Sequence, residues 1–371
     1  MLILTVTWCS WSIGGALTAP GTDPAAARLA EWGRRHYLGW AVTDLERALY
    51  AVHKPKVGGS VPGGIPTVTG TGNDRSPGAG PHHSGRRNSH RRPTRLRTAK
   101  PPAPIRPAAQ SPLAHEGHWQ NLLRVHGDAA AKVAFLRPDP SHTSYLADVV
   151  WMDPNLVRFK LFPGIRYPGQ PWTGPDRLTG SARDQVLATF NSGFQLKDAN
   201  GGYWQRGKTT QSLVPGAASM VFSTSGRLRI ERWPGGAPGP HTAAVRQNLT
   251  MMIHHGHVSP LVANPNWNSW GATIGNSAYV WRSGIGVRRD GTVVFVLGPA
   301  LDIQTLADLL RRAGAVNAME LDINPAWTDY FTYTHPAAGK AVPHRIGGDT
   351  LPYLYRYLKP CTRDFIGVFA R

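Results

Sequence analysis

GAVNAMELDINPAW, residues 314–327, sets two carboxylates, Glu320 and Asp322, into an otherwise apolar run. Alternation over residues 316–323 reads as a buried strand, because side chains two apart share a face. Glu320 and Asp322 then point together, with Met319 and Leu321 on the other side. The segment just before it, DIQTLADLLRRAGA at 302–315, is helical: Leu306, Leu309 and Leu310 make one stripe and Gly314 stops it. Further upstream, GIGVRRDGTVVFVLG at 284–298 is a hairpin turning at Asp290-Gly291. Hairpin, helix and returning strand in that order decide the class: strands dominate and a helix is inserted between them.

The same pattern extends outward. KVAFLRP (132–138), SYLADVVWMD (144–153) and LVRFKLFPG (156–164) are short apolar or alternating runs bounded by Pro, Gly or Asn turns. SARDQVLATF leads into NSGF at 191–194, and ASMVFSTSGRLRIERW (218–233) is a second hairpin around Thr224-Ser225-Gly226. Residues 113–371 are therefore expected to form one α+β domain, a large mixed and mostly antiparallel sheet core with a few helices.

Three segments precede it. Residues 1–22 carry no charged side chain and begin with an apolar half, which predicts a signal or membrane-anchor segment. The expected location is membrane-anchored or secreted, with the main domain extracellular. Residues 23–52 read as a short helical segment: Asp23 precedes Pro24, and Thr43 with Glu46 has capping-box spacing. Residues 53–112 are rich in Pro, Gly, Ser and Arg with no apolar period, and predict a disordered basic linker. Of the formal +19 charge, residues 74–106 hold nine Lys/Arg against one acid. The run lacks interleaved aromatics, so no specific nucleic-acid partner is expected. Cys9 and Cys361 have no metal-type spacing.

Several residues could carry chemistry. Paired carboxylates push one pKa up, so that one can be an acid while the other stays ionised, the pair of roles that hydrolysis of a sugar acetal uses. Arg282, opening WRSGIGV, offers a bidentate fork to a phosphate or carboxylate. In FNSGF, Asn191 both donates and accepts, and Gly193 permits close approach. MMIHHGHVS (251–259) puts His255 and His257 on one strand face without a third ligand, so no metal is expected. No P-loop, dinucleotide fingerprint, nucleophile elbow or zinc ribbon is present.

Together, RSGIGVRRDGTVVFV, DIQTLADLLRRAGAVNAMELD and the upstream NSGF resemble the phosphodiester glycosidases of the N-acetylglucosamine-1-phosphodiester α-N-acetylglucosaminidase type. The resemblance implies cleavage of a sugar linked to a phosphodiester, an extracellular or lumenal fold, an anionic substrate and no redox cofactor. Carried over by position, it places Asp322, Arg282, Asn191 and Gly193 in the site. The sequence departs where the family has Gly-Gly-Gly-Ser, here Ile323, Asn324, Pro325 and Ala326, and Glu320 stands where Asn is common. Asn324 and Trp327 are then candidates to shape the pocket mouth, Trp327 as a sugar platform, with His255 a further substrate contact. The expected function is an exported hydrolase of a sugar–phosphodiester linkage in a cell-surface glycan or glycolipid. The alternative is a non-catalytic surface protein that binds anionic glycans.

Overall fold

The Asp290-Gly291 turn forms as the sequence predicts. Asp290 accepts hydrogen bonds from the amide and hydroxyl of Thr292, and the turn joins two nine-residue strands, Val280–Arg288 and Val293–Leu301. They belong to a computed structural model that describes residues 2–68, 71–72, 98–166, 168, 174–273, 277–346 and 352–371.

In chain order the elements are α1 (Leu2–Thr18), α2 (Ala25–Arg35), α3 (Gly39–His53), β1 (Thr71–Gly72), β2 (Gln120–Val125), β3 (Asp128–Leu136), β4 (Ala147–Met152) and β5 (Val157–Phe162). Then come α4 (Gly180–Gln185), β6 (Val186–Asn191), β7 (Tyr203–Gln205), β8 (Lys208–Gln211), β9 (Ala218–Ser223), β10 (Leu228–Arg232), β11 (Thr242–Gln247), β12 (Met251–His254), β13 (His257–Val258) and α5 (Trp267–Trp270). The last part is β14 (Val280–Arg288), β15 (Val293–Leu301), α6 (Ile303–Arg312), β16 (Ala315–Glu320), β17 (Tyr330–Ala337), β18 (Lys340–Arg345) and β19 (Phe365–Ala370).

Among the described residues the strands form three sheets. The largest runs β1-β2-β3-β4-β15-β14-β16-β12-β13, the second β10-β9-β11-β7-β8 and the third β18-β17-β6-β19-β5. All strand pairs are antiparallel except β1 with β2. The α+β class, mostly antiparallel with a few helices, is as the sequence predicts.

Alternation divides the residues of the largest sheet between the cores on its two faces. Val150, Met152, Ile285, Phe295, Met319 and Leu321 face the other sheets. Val149, Trp151, Val294, Val296 and Ala318 face α6, which buries Leu306, Leu309 and Leu310 against them. Asp302 caps α6 through the Thr305 amide. Gly286 is a close approach: a Cβ there would lie 2.6 Å from the Cβ of Ala315.

Ahead of the domain the chain begins in helices. Residues 2–18 form a helix, and no helix among the described residues is long and apolar enough to cross a membrane. Residues 73–97, the basic part of the expected linker, lie outside the described residues. Its two ends lie against the domain. Gln120 binds Val68 and Pro66, the Ile105 amide donates to the Gly117 carbonyl, and the Ala99 amide donates to Asp153. Ile65, Val68 and Ile105 supply apolar anchors that outweigh local ordering entropy there.

One buried acid gives a test of this core. Asp148, in β4, stands in register with Phe135 and Leu297, and burial raises its pKa to about 8. An unfolded aspartate releases its proton near 4. Above that pH the folded state binds more protons than the unfolded one, so stability is lost as pH climbs toward 8. Asp148→Asn is expected to flatten this fall. Urea midpoints at about pH 5 and about pH 8.5 should show a relative gain for the variant on the order of 2 kcal/mol at the higher pH. Parallel profiles for the two proteins would remove Asp148 as the cause.

Candidate active site

The C-terminal ends of β6 and β16 and the N-terminal ends of β14 and β19 meet at one end of the domain. Asn191 closes the junction between sheets: it donates to the Ser283 hydroxyl at 2.9 Å and accepts from the Asp329 amide at 3.2 Å. Ser283 passes the link on, donating to the Asp322 carbonyl at 2.8 Å, while the Asp322 amide donates to the Ser192 carbonyl. Asn191 is therefore a bracket that holds the turn carrying Asp322. Gly193 makes room for a side chain, since a Cβ there would stand 2.7 Å from the Asn248 side-chain oxygen. Asn248 accepts from the Phe194 amide and donates to the Glu320 carbonyl.

The two carboxylates have different settings. β16 ends at Glu320, so Asp322 lies in the turn beyond the strand. Glu320 is fully buried (0% exposed) and pairs with Arg282, Nη1 to Oε1 2.6 Å. Its Oε2 has no hydrogen-bond partner among the described residues. Burial pushes its pKa up to about 7, opposed by Arg282. Arg282 also donates Nε to the Leu301 carbonyl, and one side of it lines a cavity of about 400 Å³ with Asn266, Trp270 and Asp302. The expected phosphate clamp is thus already engaged by Glu320. Asp322 accepts from the Asn324 amide at 2.9 Å and lies 3.8 Å from Arg363. Burial raises its pKa too, with Arg363 the largest opposing influence.

Arg363 ties the site to the chain's first helices. Its guanidinium lies over the Trp327 ring, 3.8 Å from the centroid, and 3.5 Å from Glu31 of α2. Glu31 also receives Arg166 at 3.2 Å and Gln195 at 3.1 Å. Asp23 accepts from the Trp327 indole at 2.9 Å and from the Thr362 hydroxyl. Two N-terminal carboxylates therefore rest on the polar groups beside Asp322.

Of the residues singled out in the sequence, Asn191, Gly193, Arg282, Glu320, Asp322, Asn324 and Trp327 come together here. Asn324 forms the turn after Asp322, its amide on Asp322 and its side-chain oxygen on the Ala326 amide. Trp327 is nearly buried and one face of its ring carries Arg363, so the expected sugar platform is occupied by a cation. His255 stands apart, in the exposed β12–β13 turn, where its amide donates to Asn317 near the other end of β16. Among the described residues no group of three His, Cys, Asp or Glu side chains is placed to hold a metal. Sequence reading missed Arg363, Asn248, Glu31 and Asp23 as site residues: all four stand far from the motif, and the local signal at Asp23, before Pro24, reads as a helix start. Ser283 lies inside the RSGIGV stretch, where a serine on a strand carries no spacing signal of its own.

Residues 183–322 match the family profile described as phosphodiester glycosidase, a span that takes in Asn191, Gly193, Arg282, Glu320 and Asp322 and stops short of Arg363. Curated proteins give no match. Among solved structures, the chain is similar to the catalytic domain of zebrafish N-acetylglucosamine-1-phosphodiester alpha-N-acetylglucosaminidase auto-inhibited by its pro-peptide. Identity is 12%, over 65% of this chain and 82% of that one, with a TM-score of 0.41. A hypothetical protein from Synechocystis is 14% identical over 67% of this chain and 63% of its own, TM-score 0.38. A putative exported protein from Burkholderia pseudomallei is 12% identical over 63% and 75%, TM-score 0.30.

Proposed function

We propose, on the premise that residues 183–322 match the phosphodiester glycosidases, that this protein hydrolyses the bond between a sugar and a phosphodiester, with Asp322 as its catalytic carboxylate. The observation that carries this reading is Arg363, which bridges Asp322 and the Glu31 carboxylate. Arg363, Arg166 and Gln195 converge on one carboxylate, and a phosphate presents the same kind of oxygens to them. With α2 displaced, a substrate phosphate takes the place of Glu31. Asp322 then stands beside the sugar–phosphate bond.

In the step itself, water adds to the anomeric carbon, the bond from that carbon to the phosphate oxygen breaks, and the phosphate leaves with the bonding electrons. Asp322 accepts the water proton. Its raised pKa makes it a stronger base than an exposed aspartate. A phosphate leaves as a stable anion, so its departure needs cations more than a proton donor. Glu320, sealed from solvent, is then a positioning residue that fixes Arg282 and the end of β16. Export, which the uncharged residues 1–22 suggest, belongs to the same reading, as does a cell-surface glycan or glycolipid as the source of the linkage.

A glycan-binding role without turnover is the second reading. It is favoured by the turn after Asp322, where Ile323 is nearly buried and Pro325 offers no amide. Both are tested by sugar release from an α-N-acetylglucosamine 1-phosphodiester and from the matching neutral methyl glycoside. The full chain and Glu31→Gln are to be compared. The expected result is release from the phosphodiester alone, raised several-fold, on the order of 1 kcal/mol, in Glu31→Gln because the competing carboxylate is weakened. Saturable binding with no release from either protein would leave the second reading standing.

A further inference from the structure

A second cavity, of about 370 Å³, opens where the second and third sheets meet. Arg158 and Lys160 of β5, Arg206 of the β7–β8 turn, Gln205, Ser181 and the Thr224-Ser225 turn line it, and no carboxylate does. Among the described residues no acid pairs with any of the three cations. Arg158 donates, among the described residues, to the neutral Ala370 carbonyl and Gln185 side-chain oxygen. Lys160 is half-buried, its ammonium 4.9 Å from the Phe162 ring centroid. Burial, then repulsion from Arg206 and Arg158, pushes its pKa down. A solvated basic face would spread such charges apart, whereas here they converge on a concave wall with Phe369 beneath Arg158. Lys160, partly desolvated and held beside two like charges, destabilises the unoccupied fold, and a bound anion removes that cost.

The cavity is separate from the candidate active site. In the third sheet Arg158 is in register with Phe369, next to Val186, while Phe162 is in register with Phe365, next to Asn191. The two sites therefore lie at opposite ends of six-residue strands, about 17 Å apart along the strand axis.

We infer that this cavity binds the phosphate group of a sugar phosphate, with Arg158, Lys160 and Arg206 on the phosphate and the hydroxyls of Ser181 and of the Thr224-Ser225 turn beside the sugar. The inference needs no turnover and stands apart from the hydrolase reading. The test is calorimetric titration and thermal melting of the full chain with α-glucose 1-phosphate. Inorganic phosphate and neutral methyl α-glucoside serve as controls, and Arg206→Gln and Lys160→Met as variants. Expected are saturable binding of glucose 1-phosphate, none of the glucoside, and affinity weakened roughly tenfold in each variant, the scale of losing one charge-assisted contact. In phosphate-free buffer Lys160→Met should melt no lower than wild type, because a repelled cation is gone. If Lys160→Met fails to fold, Arg206→Gln, an exposed side chain, decides the matter by itself. Unchanged affinity in Arg206→Gln would overturn the site. Inorganic phosphate binding as tightly as glucose 1-phosphate would overturn the sugar part and assign a free anion instead.

Discussion

Asp322→Asn is expected to lower turnover of a sugar 1-phosphodiester by a factor on the order of 10² to 10⁴, the scale for losing a general base. The substitution keeps the shape of the side chain. An asparagine oxygen still accepts from the Asn324 amide, as Oδ1 does now. What is lost is the charge that faces Arg363 at 3.8 Å and the capacity to take a proton. The fold should tolerate the change, because burial already disfavours the charged form and an amide removes that penalty. Rates and thermal midpoints of wild type and variant are to be measured side by side. Equal, non-zero rates would remove Asp322 from the chemistry. A collapsed melting transition would make it structural instead. Arg363→Lys keeps a cation but loses the planar fork, so it should raise KM more than it lowers kcat.

The largest loss of stability is expected at Arg246. Its Nε lies 2.8 Å from Asp364, with the two side chains 0% and 1% exposed. The same guanidinium donates to the carbonyls of Gln247 and Phe194. One residue therefore ties β11, the NSGF turn and the segment that presents Arg363 just before β19. Arg246→Met leaves Asp364 buried without its partner, which costs about 3–5 kcal/mol in such pairs. Urea denaturation should show this as a lower midpoint at an unchanged slope. Adding Asp364→Leu removes the stranded charge, so the double variant should be more stable than Arg246→Met alone. A double variant no more stable than the single would mean that the carbonyl contacts, not the ion pair, carry the effect.

These two expectations differ in how far the sequence could lead to them. Asp322 stood in a motif whose local pattern was complete. The turn at Asp290-Gly291, the stripe Leu306, Leu309 and Leu310, and the alternation through Met319 and Leu321 are all set by neighbours in the chain, through steric turn preferences and the periods of helix and strand. That is why the hairpin, the helix and the returning strand, and with them the α+β class, are legible in the sequence alone. Asn191, Gly193, Arg282 and Asp322 were also legible as one group, because together they form an ordered resemblance.

Only the tertiary structure decided who faces whom. Arg282 reads as a free fork in the sequence, but β14 and β16 pair Gly284 with Glu320, and the neighbouring Arg282 side chain meets the Glu320 carboxylate. Arg363 is 41 residues beyond Asp322 and reaches it because β19 pairs with β6, whose last residue is Asn191. Glu31 and Asp23 come from the opposite end of the chain to the same place. Such partners are chosen by burial: a charge taken out of water must find an opposite charge in space, and separation along the chain carries no information about where that charge lies.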